Sequence, residues 1–384
     1  RGQPDGARPA GAMRPAAAMR GSLPGWLGGL CLLVLWALPA ASQTVDPDLW
    51  GTNGTVTTIA RTEDRIYIGG SFTQVGPSSG YGVPIRRSTG KAVKPYPKAA
   101  GGYVGAVASD GAGGWYIGGS FIAVGGQPRA RLAHILSDGS VSPWDPSSNG
   151  WINTIAVRGD RVYVGGAFTE IAGEPRNRLA AFEISTGELT DWNPSSSSWI
   201  DALSVEGDRV YIGGHFLAMG GVYRNYIAAV DTISGGVTPW NPWADGEVTA
   251  LAVHGDVVYA GGDFCSIGGQ ARSHLAALDA STGLATEWNP VIEPRPEEYA
   301  SGPPLVRALA VGGDTVYVGG AYFVIGGQER QGLAAVDANT GAVLDWNPNP
   351  VGWWTFVYAA ALALRDRNLY VGGYFETIGG QNRY

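Results

Sequence analysis

The sequence predicts an all-β chain built from one repeated unit. Three observations predict it. An aromatic-aliphatic-Gly-Gly segment recurs seven times, its Gly pairs beginning at Gly69, Gly118, Gly165, Gly213, Gly261, Gly319 and Gly372. A Trp-Asn/Asp-Pro segment keeps step with it, beginning at Trp144, Trp192, Trp240, Trp288 and Trp346. No stretch has the period of an amphipathic helix, whereas short apolar runs bounded by Gly, Pro, Asn and Ser read as strands. The Gly pairs recur every 47–49 residues as far as Gly261 and 58 residues later at Gly319. Four strands per period, repeated this often, predict a β-propeller of four-stranded blades, with six complete blades and a truncated seventh.

Ahead of the repeats, residues 1–18 are rich in Ala, Arg, Pro and Gly and read as an upstream or non-native leader. Residues 19–42 read as a secretory signal peptide. Met19 and Arg20 precede the apolar run Trp26 to Leu38, and the small residues Ala40, Ala41 and Ser42 follow. That run is shorter than the ~20 residues a bilayer span requires, so a secreted or cell-surface chain without a transmembrane span is expected. Residues 43–53 form a linker. The blades are expected near 54–97, 103–146, 151–194, 199–242, 247–290, 305–348 and 356–384. In the unit at 199–242, Ile200 to Val205 alternates in polarity as a strand, and Gly207-Asp208 makes a hairpin turn. Val210-Tyr211-Ile212 then runs into Gly213-Gly214, and a loop carries Gly220-Gly221 and Arg224. Ile227 to Val230 is a third strand, and Val237 to Trp240 a fourth. The first unit is degenerate, with Tyr96-Pro97 in place of Trp-Asn-Pro, and the seventh starts near Phe356.

The repeat accounts for an unusual composition. Gly numbers 60 among 384 residues, roughly twice the usual share, and more than half of it is periodic. Gly at a strand end admits close approach of another group. The recurrent Trp144, Trp192, Trp240, Trp288 and Trp346 are expected to lie flat over these glycines as structural residues. Net charge is −7, which offers no footprint for nucleic acid. Only Cys31 and Cys265 occur, so the chain after the leader has one thiol and no internal disulfide, zinc knuckle or haem motif.

The run Tyr317-Val318-Gly319-Gly320, Ile325-Gly326-Gly327-Gln328, Arg330, Leu333-Ala334-Ala335-Val336-Asp337, Thr340-Gly341 and Trp346-Asn347-Pro348 resembles the delta-60 repeat β-propeller family. The likeness covers roughly residues 54–384. It implies secreted or surface-associated bacterial proteins with no established catalytic activity. Ala277-Leu278-Asp279-Ala280-Ser281-Thr282-Gly283 followed by Trp288 is also similar to the tryptophan-docking repeat of pyrroloquinoline-quinone propellers. That motif has one residue fewer between Gly and Trp. The adjacent cysteine pair of those enzymes has no counterpart here, so the likeness reads as shared blade packing and no cofactor is expected.

Residues with chemistry are few. The four His (His134, His215, His254, His274) fall in different units at different repeat positions, and no metal motif is present. Gly76-Pro77-Ser78-Ser79-Gly80 matches a nucleophile-elbow pattern but lacks the strand-to-helix context it needs. A recurrent Arg follows the second Gly segment, including Arg176, Arg224, Arg272 and Arg330. A residue present in every unit serves the unit, so these are expected to bond a carboxylate such as Asp231, Asp279 or Asp337, or carbonyls. Function belongs where units differ. The residue after Gly-Gly varies, and His215 and Asp263 in adjacent units are the catalytic candidates. Trp151, Trp199, Trp243, Trp353 and Trp354 gather on the face where blades are linked. They are candidates for stacking on a glycan or anchoring a protein partner, or for packing at the strand start. The reading is a monomeric, secreted, non-catalytic binding scaffold for a protein or surface polymer. The alternative is a catalytic propeller acting on polysaccharide as hydrolase or lyase, with a quinone-dependent dehydrogenase third.

Overall fold

A computed structural model describes residues 52–62, 65–75, 82–86, 96–293, 304–352, 357–365 and 368–382. The leader, the signal-peptide segment, most of the linker and the Gly76–Gly80 pattern lie outside them. Every regular element among the described residues is a strand. Each of the first six repeats folds into a three-stranded antiparallel sheet in sequence order, and the seventh pairs Tyr358–Arg365 with Asn368–Tyr374. In the fourth repeat the strands are Ile200–Glu206, Arg209–Gly214 and Ile227–Asp231. The first two join through Gly207-Asp208, with Gly207 at φ 58°, the placement of Gly in a tight primed hairpin turn. A second hairpin, Ala218-Met219 against Val222-Tyr223, turns on Gly220 and Gly221 at φ 56° and 78°. Both turn residues are left-handed, a geometry only Gly adopts freely.

The four-stranded blade needs correction. The fourth segment is held to the third strand by a single bridge, Val230 to Val237 in the fourth repeat, with equivalents at Phe182–Leu189, Leu278–Ala285 and Val336–Val343. The ladder stops because the chain turns outward. The Thr238 amide and hydroxyl both donate to the Ala229 carbonyl, and Trp240 then leaves its own sheet for the next one.

The core lies between sheets, not within a central layer. The middle strands are buried throughout, as at Val210, Tyr211 and Ile212, because each sheet is covered on both faces. The glycine pair makes this contact possible. A Cβ on Gly213 would stand 2.8 Å from Val248 Cγ1 of the next blade, and one on Gly165 would stand 2.7 Å from Ile200 Cγ2. The second Gly of each pair meets its own inner strand: a Cβ on Gly214 would lie 2.2 Å from the Trp199 carbonyl. The same relation links the seventh repeat to the first, since a Cβ on Gly372 would lie 2.4 Å from Val56 Cγ1.

Strand-end glycines are thus occupied by aliphatic side chains of the neighbouring blade, not by Trp. Sequence cannot distinguish these occupants, because either would exclude a Cβ. The Trp instead reaches the turn between third and fourth segments of the next blade. Trp192 Cδ1 stands 3.3 Å from the Cβ position of Gly235. The indole N–H of Trp192, Trp240 and Trp288 donates to the carbonyl of Asp231, Asp279 and Asp337, at 2.9, 3.0 and 2.8 Å. Each Trp also meets the strand Tyr of its own blade edge to face, from Tyr116–Trp144 to Tyr317–Trp346. The recurrent Arg residues bond carbonyls. Arg224 donates to Tyr223 and Thr238, and Arg176, Arg272 and Arg330 do the same in their blades. Asp231, Asp279 and Asp337 instead accept bonds from the Ser and Thr groups of their own turns.

Candidate functional site

The inner strand of every blade carries a β-bulge next to its first aliphatic residue. Register shifts between Ile200 and Ala202, and likewise at Val56/Thr58, Val104/Ala106, Ile152/Thr154, Val248/Ala250, Val306/Ala308 and Ala359/Ala361. A bulge leaves one residue unpaired and re-aims its side chain. That residue is Thr57, Gly105, Asn153, Asp201, Thr249, Arg307 or Ala360, in blade order. Where it is Thr or Asn, it bonds the inner strand of the next blade. Thr57 Oγ1 donates to the Val104 carbonyl at 3.0 Å, Asn153 Nδ2 to Ile200 at 3.1 Å and Thr249 Oγ1 to Val306 at 2.6 Å.

Asp201 breaks the pattern, because a carboxylate has no hydrogen to give a carbonyl. It takes other partners. Asn153 Nδ2 donates to Asp201 Oδ1 at 3.3 Å. His215 Nε2 lies 2.8 Å from Asp201 Oδ2, and His215 Nδ1 lies 2.6 Å from Glu247 Oε1 of the next blade. The first of these is a charge contact without hydrogen-bond alignment, so the buried Oδ2 has no aligned donor. Burial pushes the Asp201 carboxyl above its ordinary range, and His215 and Arg307 pull it back. Tyr358 is also raised by burial, with Arg307 opposing and Asp201 adding to the shift. Groups from the fourth to seventh blades therefore act on one another at one end of the inner strands. The buried Arg307 Nε there has no hydrogen-bond partner.

Both sequence candidates reach this end. His215 is at its centre. Asp263 stands across the strand pair from Glu247, and its Oδ1 lies 3.6 Å from Nδ1 of His274. Burial holds the His274 imidazole below its usual range, with Asp263 opposing. His134 lies apart, its Nε2 2.9 Å from Asp110 Oδ2 and its ring stacked on Tyr116. No group of three or more His, Cys, Asp and Glu among the described residues is arranged to hold a metal ion.

Sequence reasoning missed Asp201, Glu247, Arg307 and Tyr358. For Asp201 and Arg307 the signal was a column of the repeat: the residue after the first aliphatic of each inner strand varies from Gly to Arg, and Glu247 and Tyr358 stand just before that aliphatic, at a position that also varies.

Of the five Trp candidates, Trp353 and Trp354 lie outside the described residues. Trp151, Trp199 and Trp243 are each about half exposed, at 50%, 50% and 51%. Trp199 meets His215 edge to face at 5.8 Å. Trp243 sits at φ 49°, where Ser147, Ser195 and Asn349 occupy the same place after Pro in other blades. A left-handed conformation is an outlier for so bulky a residue. The fourth blade also exposes Leu217, Val222 and Tyr223, the last at 84%. The places of Val222-Tyr223 are held elsewhere by Gln127-Pro128, Glu174-Pro175, Gln270-Ala271 and Gln328-Glu329. Hydrogen bonds link these segments: the Leu217 amide donates to Ser197 Oγ and the Ala244 amide to the Asn225 carbonyl.

A family model matches residues 100–373, most of the repeat region. Its name is PQQ_2 and its description reads "Outer membrane protein assembly factor BamB". The chain belongs to this family. The tryptophan-docking likeness is thus the one that the family name carries, and the match extends to β-propeller repeats in general rather than to the delta-60 motif. The WD40 β-propeller domain of Doa1 is similar at 10% identity and a TM-score of 0.52, over 87% of this chain and 93% of that one. The extracellular domain of the putative one component system BT4673 from B. thetaiotaomicron is similar at 13% identity and a TM-score of 0.54, over 87% of this chain and 39% of that one. Both likenesses are of fold. No curated protein matches the chain. The residues at the inner-strand ends do not fit a quinone cofactor, an anion with several carboxylates. Asp201, Glu247 and Asp263 stand there against one guanidinium and the imidazoles of His215 and His274, and like charges in a partly buried site repel.

Proposed function

We propose that this protein is a secreted binding scaffold of the delta-60 type, a seven-bladed ring that takes a protein partner on the face where its blades are linked. The seating of Val56 on Gly372 supports closure of the ring. The observation that carries the binding reading is the apolar surface of the fourth blade. Trp199, Leu217, Val222, Tyr223 and Trp243 are all exposed, the last three at positions where most sister blades carry Gln, Glu, Pro, Ser or Asn. Aromatic anchors surrounded by polar surface are what protein interfaces use, and Trp243 stands at a left-handed position of the repeat where Ser or Asn would be cheaper. The family description, an assembly factor of outer membrane proteins, agrees with a partner-binding role. The test is capture from a bacterial envelope extract on the immobilised protein, compared with a Leu217→Ser, Tyr223→Ser, Trp243→Asn variant. Partner loss with unchanged circular dichroism and Tm is the expected result. Equal capture by the variant refutes the reading.

A second reading, catalysis on polysaccharide, is favoured by the meeting of His215 with Asp201 and Glu247. Turnover on polysaccharide that is abolished by Glu247→Gln would support it.

A further inference from the structure

The cluster at the inner-strand ends adjoins the exposed patch at Trp199 but does not rest on the protein-partner reading. Its members are Asp201 of the fourth blade, Glu247 of the fifth, Arg307 of the sixth and Tyr358 of the seventh, with His215 bridging the first two. Asp201 Oδ2 is buried with His215 Nε2, 2.8 Å away, as its near donor, and Arg307 Nε, like the Nε of the repeat's Arg176, Arg224, Arg272 and Arg330, is buried without a hydrogen-bond partner. A buried polar group left unpaired is costly. The other blades avoid this at the bulge by donating to a neighbouring carbonyl or by carrying Gly or Ala. Here the repeat's own solution is given up in two blades whose bulge residues act on one another.

The chemistry selects among ligands. A hydroxyl group both donates and accepts, so a polyhydroxylated ring can supply a donor to Asp201 and an acceptor to Arg307 at once. An inorganic or carboxylate anion would meet Asp201, Glu247 and Asp263. A cation would meet Arg307. Trp199 completes the set. It stands half exposed at the rim, edge to face with His215, and offers an apolar face with polar groups beside it, the arrangement on which a sugar ring stacks. Trp151, at the same repeat position in the third blade, is equally exposed but has Asn153 and Ala167 beside it in place of Asp201 and His215.

We propose that the inner-strand ends of the fourth to seventh blades bind a neutral carbohydrate, one ring against Trp199 with its hydroxyls on Asp201, His215, Glu247 and Arg307. The experiment is binding of the intact protein to an array of neutral and acidic oligosaccharides, followed by titration of the best neutral ligand by Trp fluorescence. Neutral glycans should bind. Trp199→Ala should weaken binding by about tenfold or more, the scale of one lost aromatic anchor, and Asp201→Asn should weaken it as well. Trp151→Ala should leave it unchanged, and all three variants should keep the wild-type Tm within a few degrees. Should Trp199→Ala fail to fold, Asp201→Asn carries the test alone. Binding of no glycan, binding of acidic glycans only, or equal losses in Trp151→Ala and Trp199→Ala would overturn the proposal. Loss of sugar binding in Asp201→Asn with protein capture intact would separate this site from the fourth-blade patch.

Discussion

Single residues carry the departures from the repeat. In the third blade Ala172 takes φ 53° at the turn position where Gly125, Gly220, Gly268 and Gly326 stand elsewhere. An L-residue there costs about 1–2 kcal/mol, partly offset by the lower unfolded-chain entropy of Ala. Ala172→Gly should therefore raise stability by roughly 0.5–1 kcal/mol, read as a higher denaturant midpoint at unchanged slope. Asp279 makes a pH prediction. The Ser281 hydroxyl, then the Thr282 amide and hydroxyl, donate to it and hold its carboxyl at about 2 against an ordinary 3.8. A carboxyl lowered by folding adds stability above the unfolded value, and that stability is lost as pH falls through the folded one. Tm of the wild type should thus decline between about pH 4 and pH 2, and in Asp279→Asn this decline should be shallower. These residues were legible only as members of the repeat. That Ala172 is left-handed, or that Asp279 is an acceptor for its own turn and not for Arg, depends on backbone directions the letters do not contain.

At the scale of elements, recurring contacts join each blade to the next. The glycine pair lets the next inner strand approach, and the Trp reaches forward to the next turn. Trp240 is almost fully buried, meets Tyr211 edge to face and donates to Asp279. Trp240→Ala should cost about 3–5 kcal/mol. Trp240→Phe should recover much of this but forfeit the indole bond, about 1 kcal/mol. Chemical denaturation of the three proteins checks the order. The strands, hairpins and turns were readable in the sequence because Gly, Asp and the Trp-Asn-Pro segment mark their ends in most units. The shortness of the fourth segment was not, since Val237-Thr238 looks like a strand until the pull of Trp240 toward its neighbour is known.

For the whole molecule the informative contact is between ends of the chain. Val56 of the first blade is buried against Gly372 of the seventh, across more than 300 residues of sequence. Val56→Ala should cost about 2 kcal/mol, a buried-methyl loss with its cavity. If the two blades did not meet, the change would fall within the ~0.5 kcal/mol of a surface substitution, and thermal unfolding distinguishes the two. The sequence by itself determined the all-β class, the repeat and the two residues, His215 and Asp263, that depart from it after Gly-Gly. Those are local properties, written in spacing and side-chain type. Only the tertiary structure decided what the departures meet. Asp201, Glu247 and Arg307 lie up to 106 positions apart, yet a bulge at the same point of each inner strand aims the outer two at one place, with Glu247 joined to them through His215. Convergence of that kind comes from how blades are arranged around one another, and no spacing within a single repeat encodes it.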